Sequence, residues 1–94
     1  MKAMCLNEKA EFVWQDVPDP VCHDEFDVKI LIRACALNRA DLMQRAGIYA
    51  PPEGWPLWPG LECAGDVIEC PEKGRFKVGD KVCALLGGGG YAEQ

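Results

Sequence analysis

The chain has 94 residues, 49% apolar and 27% charged, with a formal net charge of −5. That is the composition of a soluble folded protein with room for one modest core, so it is read as one domain spanning residues 1–94. The negative balance provides no basic footprint for nucleic acid and disfavours binding to anionic membranes. No apolar run reaches membrane length and no leader-like segment opens the chain, so a cytoplasmic location is expected.

The elements follow in chain order. "KAMCL" and "AEFVWQDV", separated by "NEK", read as a β-hairpin. "PDPVCHDE" is a loop. "FDVKILIRACAL", Phe26 to Leu37, alternates nearly strictly, with Phe26, Val28, Ile30, Ile32 and Ala34 sharing one face of a half-buried strand. A short helix follows, with Asn38 as its N-cap, Asp41 in the first turn and Gly47 as its stop. Asp41 and Arg45 are spaced to pair on its surface, and Leu42, Met43 and Ala46 form an apolar stripe.

"YAPPEGWPLWPG" carries four prolines and two glycines in twelve residues, so it is a loop, anchored by packing of Trp55 and Trp58. "LECAGDVIEC" is a strand in which Gly65 marks a bulge or a close approach of backbone. "PEKGRFKVGD" is a turn region and "KVCALL" a further strand. Many short strands and one helix favour an all-β, partly open barrel over a sandwich.

The six cysteines form no C-x-x-C pair, and the only histidine, His23, lies in a polar loop. A structural zinc site, which needs four convergent ligands, is not indicated. Cys5, Cys35, Cys63 and Cys83 sit in strand-like runs and are expected to be reduced thiols acting as small hydrophobes. Gly87, Gly89 and Ala92 imitate a dinucleotide fingerprint. No helix, second strand or distant acid follows within the chain, so the mechanism of that motif is missing here. A tight glycine turn leading to a strand that begins at Tyr91 is expected instead.

The run "ALNRADLMQRAGIYAPPEGWPLWPGLECAGDVIE" resembles the zinc-independent quinone oxidoreductases of the medium-chain dehydrogenase/reductase superfamily, in their p53-inducible quinone oxidoreductase-like branch. "MKAM" and "FKVGDKVCALLGGGGYAE" extend the resemblance over effectively the whole chain. The resemblance implies a GroES-like catalytic domain, here truncated at its C-terminal end and lacking the Rossmann domain that follows in the family. It implies an NAD(P)H-dependent enzyme that transfers hydride to a quinone or a similar enone or carbonyl, with NADPH as cofactor and the isolated fragment inactive.

The zinc alcohol dehydrogenases of that superfamily place a cysteine and a histidine where this chain has Asn38 and Leu61, so the resemblance implies no metal. It places Asn38 and Tyr49 at the cleft floor as catalytic groups, and Asn38, Arg39 and Ala40 against the cofactor. Glu62 and Asp41 are read as structural. The unfinished barrel edge is expected to drive self-association as a dimer. The competing expectation is a GroES-like interaction or co-chaperone module with no enzymatic activity.

Overall fold

A computed structural model describes residues 1–94. The chain forms strands β1 (Lys2–Leu6), β2 (Phe12–Asp16) and β3 (Lys29–Cys35), helix α1 (Arg39–Arg45), then β4 (Glu62–Glu69) and β5 (Lys81–Leu85). β1 and β2 make the expected hairpin, with Met4 opposite Trp14. Its turn is held by Asn7, whose Oδ1 accepts the amides of Lys9 (2.9 Å) and Glu11 (3.0 Å). This is the local side-chain to backbone bonding that makes asparagine a turn residue.

β3, β4 and β5 form an antiparallel sheet in that order. The two sheets are joined by the last residues of the chain. Met4 donates its amide to the Tyr91 carbonyl (2.7 Å) and Glu93 donates to Lys2 (3.1 Å). On the other side Ile32 donates to the Glu93 carbonyl (2.8 Å). The segment Tyr91–Glu93 therefore lies between β1 and β3, with Ala3 opposite Ala92 and both buried. The strand expected at Tyr91 is present in this short form. The spatial order is β2, β1, Tyr91–Glu93, β3, β4, β5. The outer edges of β2 and β5 meet no partner strand, which makes the mainly β fold a partly open barrel with one short helix.

The inner face of β4 carries Cys63, Gly65 and Val67, all buried. Gly65 is the close approach that the sequence suggested. A Cβ there would stand 2.0 Å from the Leu31 carbonyl oxygen of β3.

β3 departs from its predicted alternation at both ends. Phe26 is 81% exposed and lies outside the strand. Asp27 accepts the His23 amide (2.7 Å) and Asp24 accepts the Phe26 amide (2.7 Å), so turn chemistry holds this stretch out of the sheet. Further along, Ile32 faces Gly65 but Ala34 faces Ala64, leaving Arg33 as an extra residue on β3. That β-bulge shifts the pleat by one residue. Ala34 moves to the outer face and Cys35 takes the inner one, opposite Cys63.

The bulge also aims Arg33 outward. Its Nε donates to Asp66 Oδ2 (3.0 Å), and Lys81 Nζ reaches Asp66 Oδ1 (3.1 Å), tying β3, β4 and β5 together. The hydrogen bonds from Arg33 and then Lys81 hold the Asp66 carboxyl below its ordinary value of 3.8. The unfolded chain therefore takes up that proton first as pH falls. The stabilisation is present above about pH 4 and lost as the pH drops through the folded-state value. Asp66→Asn should flatten the acid limb of a urea-midpoint profile; an unchanged slope below pH 4 would count against the triad.

Candidate functional site: a buried carboxylate at the end of the barrel

Helix α1 is amphipathic in the opposite sense to the one its sequence suggests. Its buried residues are Asp41 and Gln44, 3% and 8% exposed, whereas Leu42 is 60% exposed. Gln44 is satisfied by donating Nε2 to the Leu57 carbonyl (2.7 Å). The expected pairing of Asp41 with Arg45 does not occur. Arg45 donates Nε to the Ala10 carbonyl (2.7 Å), and its guanidinium lies over the Phe12 ring.

Asp41 instead gathers three donors, one from its own helix cap and two from distant parts of the chain. Its Oδ2 accepts the Asn38 amide (2.8 Å) and the Tyr91 hydroxyl (2.6 Å), and its Oδ1 accepts the Gly60 amide (3.3 Å). The first of these bonds is the reciprocal half of a helix capping box. No cation joins the group, so the carboxylate is held by oriented dipoles alone. Burial and then the hydrogen bond to Asp41 push the Tyr91 phenol above its ordinary value of 10.

Unfolding lets Tyr91 ionise at its ordinary value, so between the two values the unfolded state holds fewer protons and stability falls as pH rises. Tyr91→Phe should lower stability at neutral pH by about 1–3 kcal/mol, the cost of orphaning a buried acceptor. It should also flatten the alkaline limb above about pH 10. A denaturation series from pH 8 to pH 11 measures both.

Asn38 caps α1 with extended backbone, and its Nδ2 donates to Glu62 Oε2 (2.8 Å) at the start of β4. One amide hydrogen of Asn38 is thus spent on orientation. Arg39 is exposed and forms no ion pair, while Ala40 is half-buried. Arg39 borders a shallow hollow formed by Leu42, Met43, Ala46 and Ile48. Tyr49 is half-buried on the loop beyond α1, and its hydroxyl has no partner within the chain. Asn38, Arg39 and Ala40 are contiguous at the N-terminus of α1, and Asn38 touches both Glu62 and Asp41.

Sequence reasoning missed Asp41 as the hub, and with it Tyr91 and Gly60. The signal was an acid three residues after the cap, where a capping box closes. Its two other partners lie 19 and 50 residues away and leave no local pattern.

The glycine run backs this site. Gly89 and Gly90 donate their amides to the Trp58 (2.9 Å) and Gly60 (2.9 Å) carbonyls, and Trp58 Nε1 donates to the Gly89 carbonyl (2.9 Å). A Cβ at Gly87 would stand 2.7 Å from the Trp55 ring. The run is therefore a flat seat for the Trp55–Gly60 loop as well as a bend, and both tryptophans anchor that loop as expected.

Residues 24–94 match the model of the alcohol dehydrogenase GroES-like domain. Quinone oxidoreductase-like protein 2 of Bos taurus is 33% identical over 94 residues, covering 98% of this chain and 26% of that protein. The synaptic vesicle membrane protein VAT-1 homolog-like of Mus musculus is 36% identical over 78 residues, or 82% of this chain and 18% of its own length. A crystal structure of a probable oxidoreductase from Mycobacterium abscessus superposes with a TM-score of 0.77 at 32% identity, covering 98% of this chain and 29% of that one. The chain spans less than a third of each of these relatives. With its barrel order, its capped helix and this match over most of its length, the chain belongs to the family of alcohol dehydrogenase GroES-like domains.

Proposed function

We propose that residues 1–94 are the GroES-like catalytic domain of a longer, zinc-independent NADPH:quinone oxidoreductase. The observation that carries this is Asn38. By the family resemblance it corresponds to the position at which the zinc-dependent members place a thiolate ligand, and its side-chain amide is held by Glu62 with one hydrogen still free.

The donor set does not suit a catalytic zinc. Asn38 presents a neutral amide already bonded to Glu62, Leu61 has no donor atom, and no three His, Cys, Asp or Glu side chains converge. The chain does suit a nucleotide. An unpaired cation, Arg39, beside an apolar hollow fits phosphate next to a flat ring, with Asn38 and Ala40 on the same helix end.

A bound nicotinamide supplies the hydride. The chain's part is to orient the acceptor and stabilise the charge that develops on it. Asn38 donates its free amide hydrogen to the carbonyl oxygen on which negative charge builds. Glu62 fixes that amide. Tyr49 offers an unpaired phenol as hydrogen-bond donor or proton source.

Grafting residues 1–94 onto the remaining sequence of the bovine relative gives the test. NADPH oxidation with a naphthoquinone should resist a zinc chelator and fall at least about tenfold in Asn38→Ala, mainly in kcat. Loss of activity with the chelator, or none with quinone but turnover of an alcohol, would overturn the reading. The isolated chain is expected to show no turnover.

The open barrel supports a second expectation. β2 and β5 have free edges, and Trp14 and Leu85 are exposed beside them. Such edges recruit a partner. Light scattering over a dilution series should show a dimer that dissociates on dilution; a monomer at every concentration would refute it.

A further inference from the structure

We propose that Cys35 and Cys63 form a reversible cross-strand disulfide that clamps the end of β3 to the start of β4. The two residues are direct partners in the sheet. The Ala36 amide donates to the Glu62 carbonyl (3.3 Å), so the ladder bonds flank the pair rather than joining it. Cys35 and Cys63 are therefore a non-hydrogen-bonded antiparallel pair, the type that brings Cα atoms to about 4.5 Å and side chains closest. That spacing falls at the compact end of the range a disulfide accepts. With Cys35 exposed, a bond formed there is open to attack by reducing thiols, which is the property of a switch rather than a staple.

The pairing depends on the bulge at Arg33. Without the extra residue Ala34 would face inward and Cys35 outward. The two thiols also differ in access. Cys35 is exposed and Cys63 is buried, so an oxidant meets Cys35 first and Cys63 resolves the product. Cys83 is opposite Ala64 on the outer face and is not placed to compete. Burial, and then the Cys35 thiol on the same face, push the Cys63 thiol above its ordinary value, so resolution should accelerate with pH.

The oxidant is a low-molecular-weight disulfide such as oxidised glutathione. The Cys35 thiolate attacks one of its sulfurs and releases one glutathione thiolate. Cys63, deprotonated, attacks the Cys35 sulfur of the mixed disulfide and releases the second. Two protein thiols lose two electrons and two protons, and one glutathione disulfide becomes two thiols. The new bond closes a loop that contains Asn38, Arg39, Ala40, Asp41 and Tyr49. It lies three residues before Asn38 and one after Glu62, and so fixes the strands that carry their hydrogen bond.

The experiment equilibrates the full chain in glutathione buffers stepped from reducing to oxidising, quenches with acid and maps peptides without reduction. The expected product links ACALNR to the tryptic peptide that bears Cys63; further cleavage after glutamate isolates CAGDVIE and separates Cys63 from Cys70. The oxidised chain should melt at a higher temperature than the reduced one, and Cys35→Ala, an exposed change, should abolish that shift. A stable glutathione adduct on Cys35, or a bond from Cys35 to Cys22, Cys70 or Cys83, overturns the pairing. A correct link with no rise in melting temperature overturns the clamp.

Discussion

Asp41→Ala is expected to destabilise the chain by about 3–5 kcal/mol, measured as a fall in urea midpoint at constant slope. Three donors converge on this carboxylate: the Tyr91 hydroxyl, the Asn38 amide and the Gly60 amide. Hydrogen bonds to a charged acceptor contribute about 1.5–3 kcal/mol each, and donors left buried without a partner cost a further desolvation penalty. The three are not additive, because they share one acceptor and removing it lets the site relax. Even the lower figure is a large share of the roughly 5–14 kcal/mol that a domain of this size has in total. Asp41→Asn keeps the shape and one acceptor oxygen, and should cost about half as much. Equal midpoints for Asp41→Ala and the native chain would show that the three-way contact is energetically idle.

Gly60→Ala should be as damaging by a different route. Gly60 has φ +117, a conformation that L residues avoid, and its Cβ would stand 2.3 Å from the Tyr91 amide nitrogen and 2.6 Å from the Gly90 backbone. The first effect costs about 1–2 kcal/mol and the overpacking about 1–3 kcal/mol more. Neither neighbour can rotate away, because both are main chain. Displacing Tyr91 would also loosen its bond to Asp41 and the strand that joins the two sheets. Gly79→Ala is the control: φ is +97 but no atom lies within 4 Å, so only the conformational cost of about 1–2 kcal/mol remains. If the two substitutions lower the midpoint equally, the close approach at Gly60 carries no energy of its own.

Both predictions turn mainly on contacts between residues far apart in sequence, Asp41 with Gly60 and Tyr91, and Gly60 with Tyr91, and those pairings are not visible there. What was legible is local. The hairpin follows from two alternating runs around an asparagine turn. The Asn38 cap and the stop at Gly47 follow from side-chain chemistry within one turn of helix. The proline-rich loop follows from fixed φ angles and missing amides. Gly65 and the two tryptophans also declared their roles, since a glycine inside a strand and aromatic rings in a loop each have few physical uses.

The failures have a common cause. Phe26 fits the β3 alternation but is claimed by an aspartate-capped turn, because local hydrogen bonds compete with ladder bonds. Leu42 belongs to the apolar stripe of α1, yet the helix buries Asp41 and Gln44, which find partners on the Trp55–Gly60 loop and at Tyr91. Periodicity alone reports which face is apolar, not which face has partners.

Sequence by itself thus determined the elements, their caps and turns, and the family resemblance. Those depend on φ, ψ and hydrogen bonds spanning a few residues. Only the tertiary structure decided that Tyr91–Glu93 joins the two sheets, that Asp41 is the hub of the helix end, and that a single bulge sets Cys35 against Cys63. Each of these is fixed by strand register and by donors brought from distant segments. A one-residue slip of register exchanges the two faces of a strand while leaving every local preference satisfied.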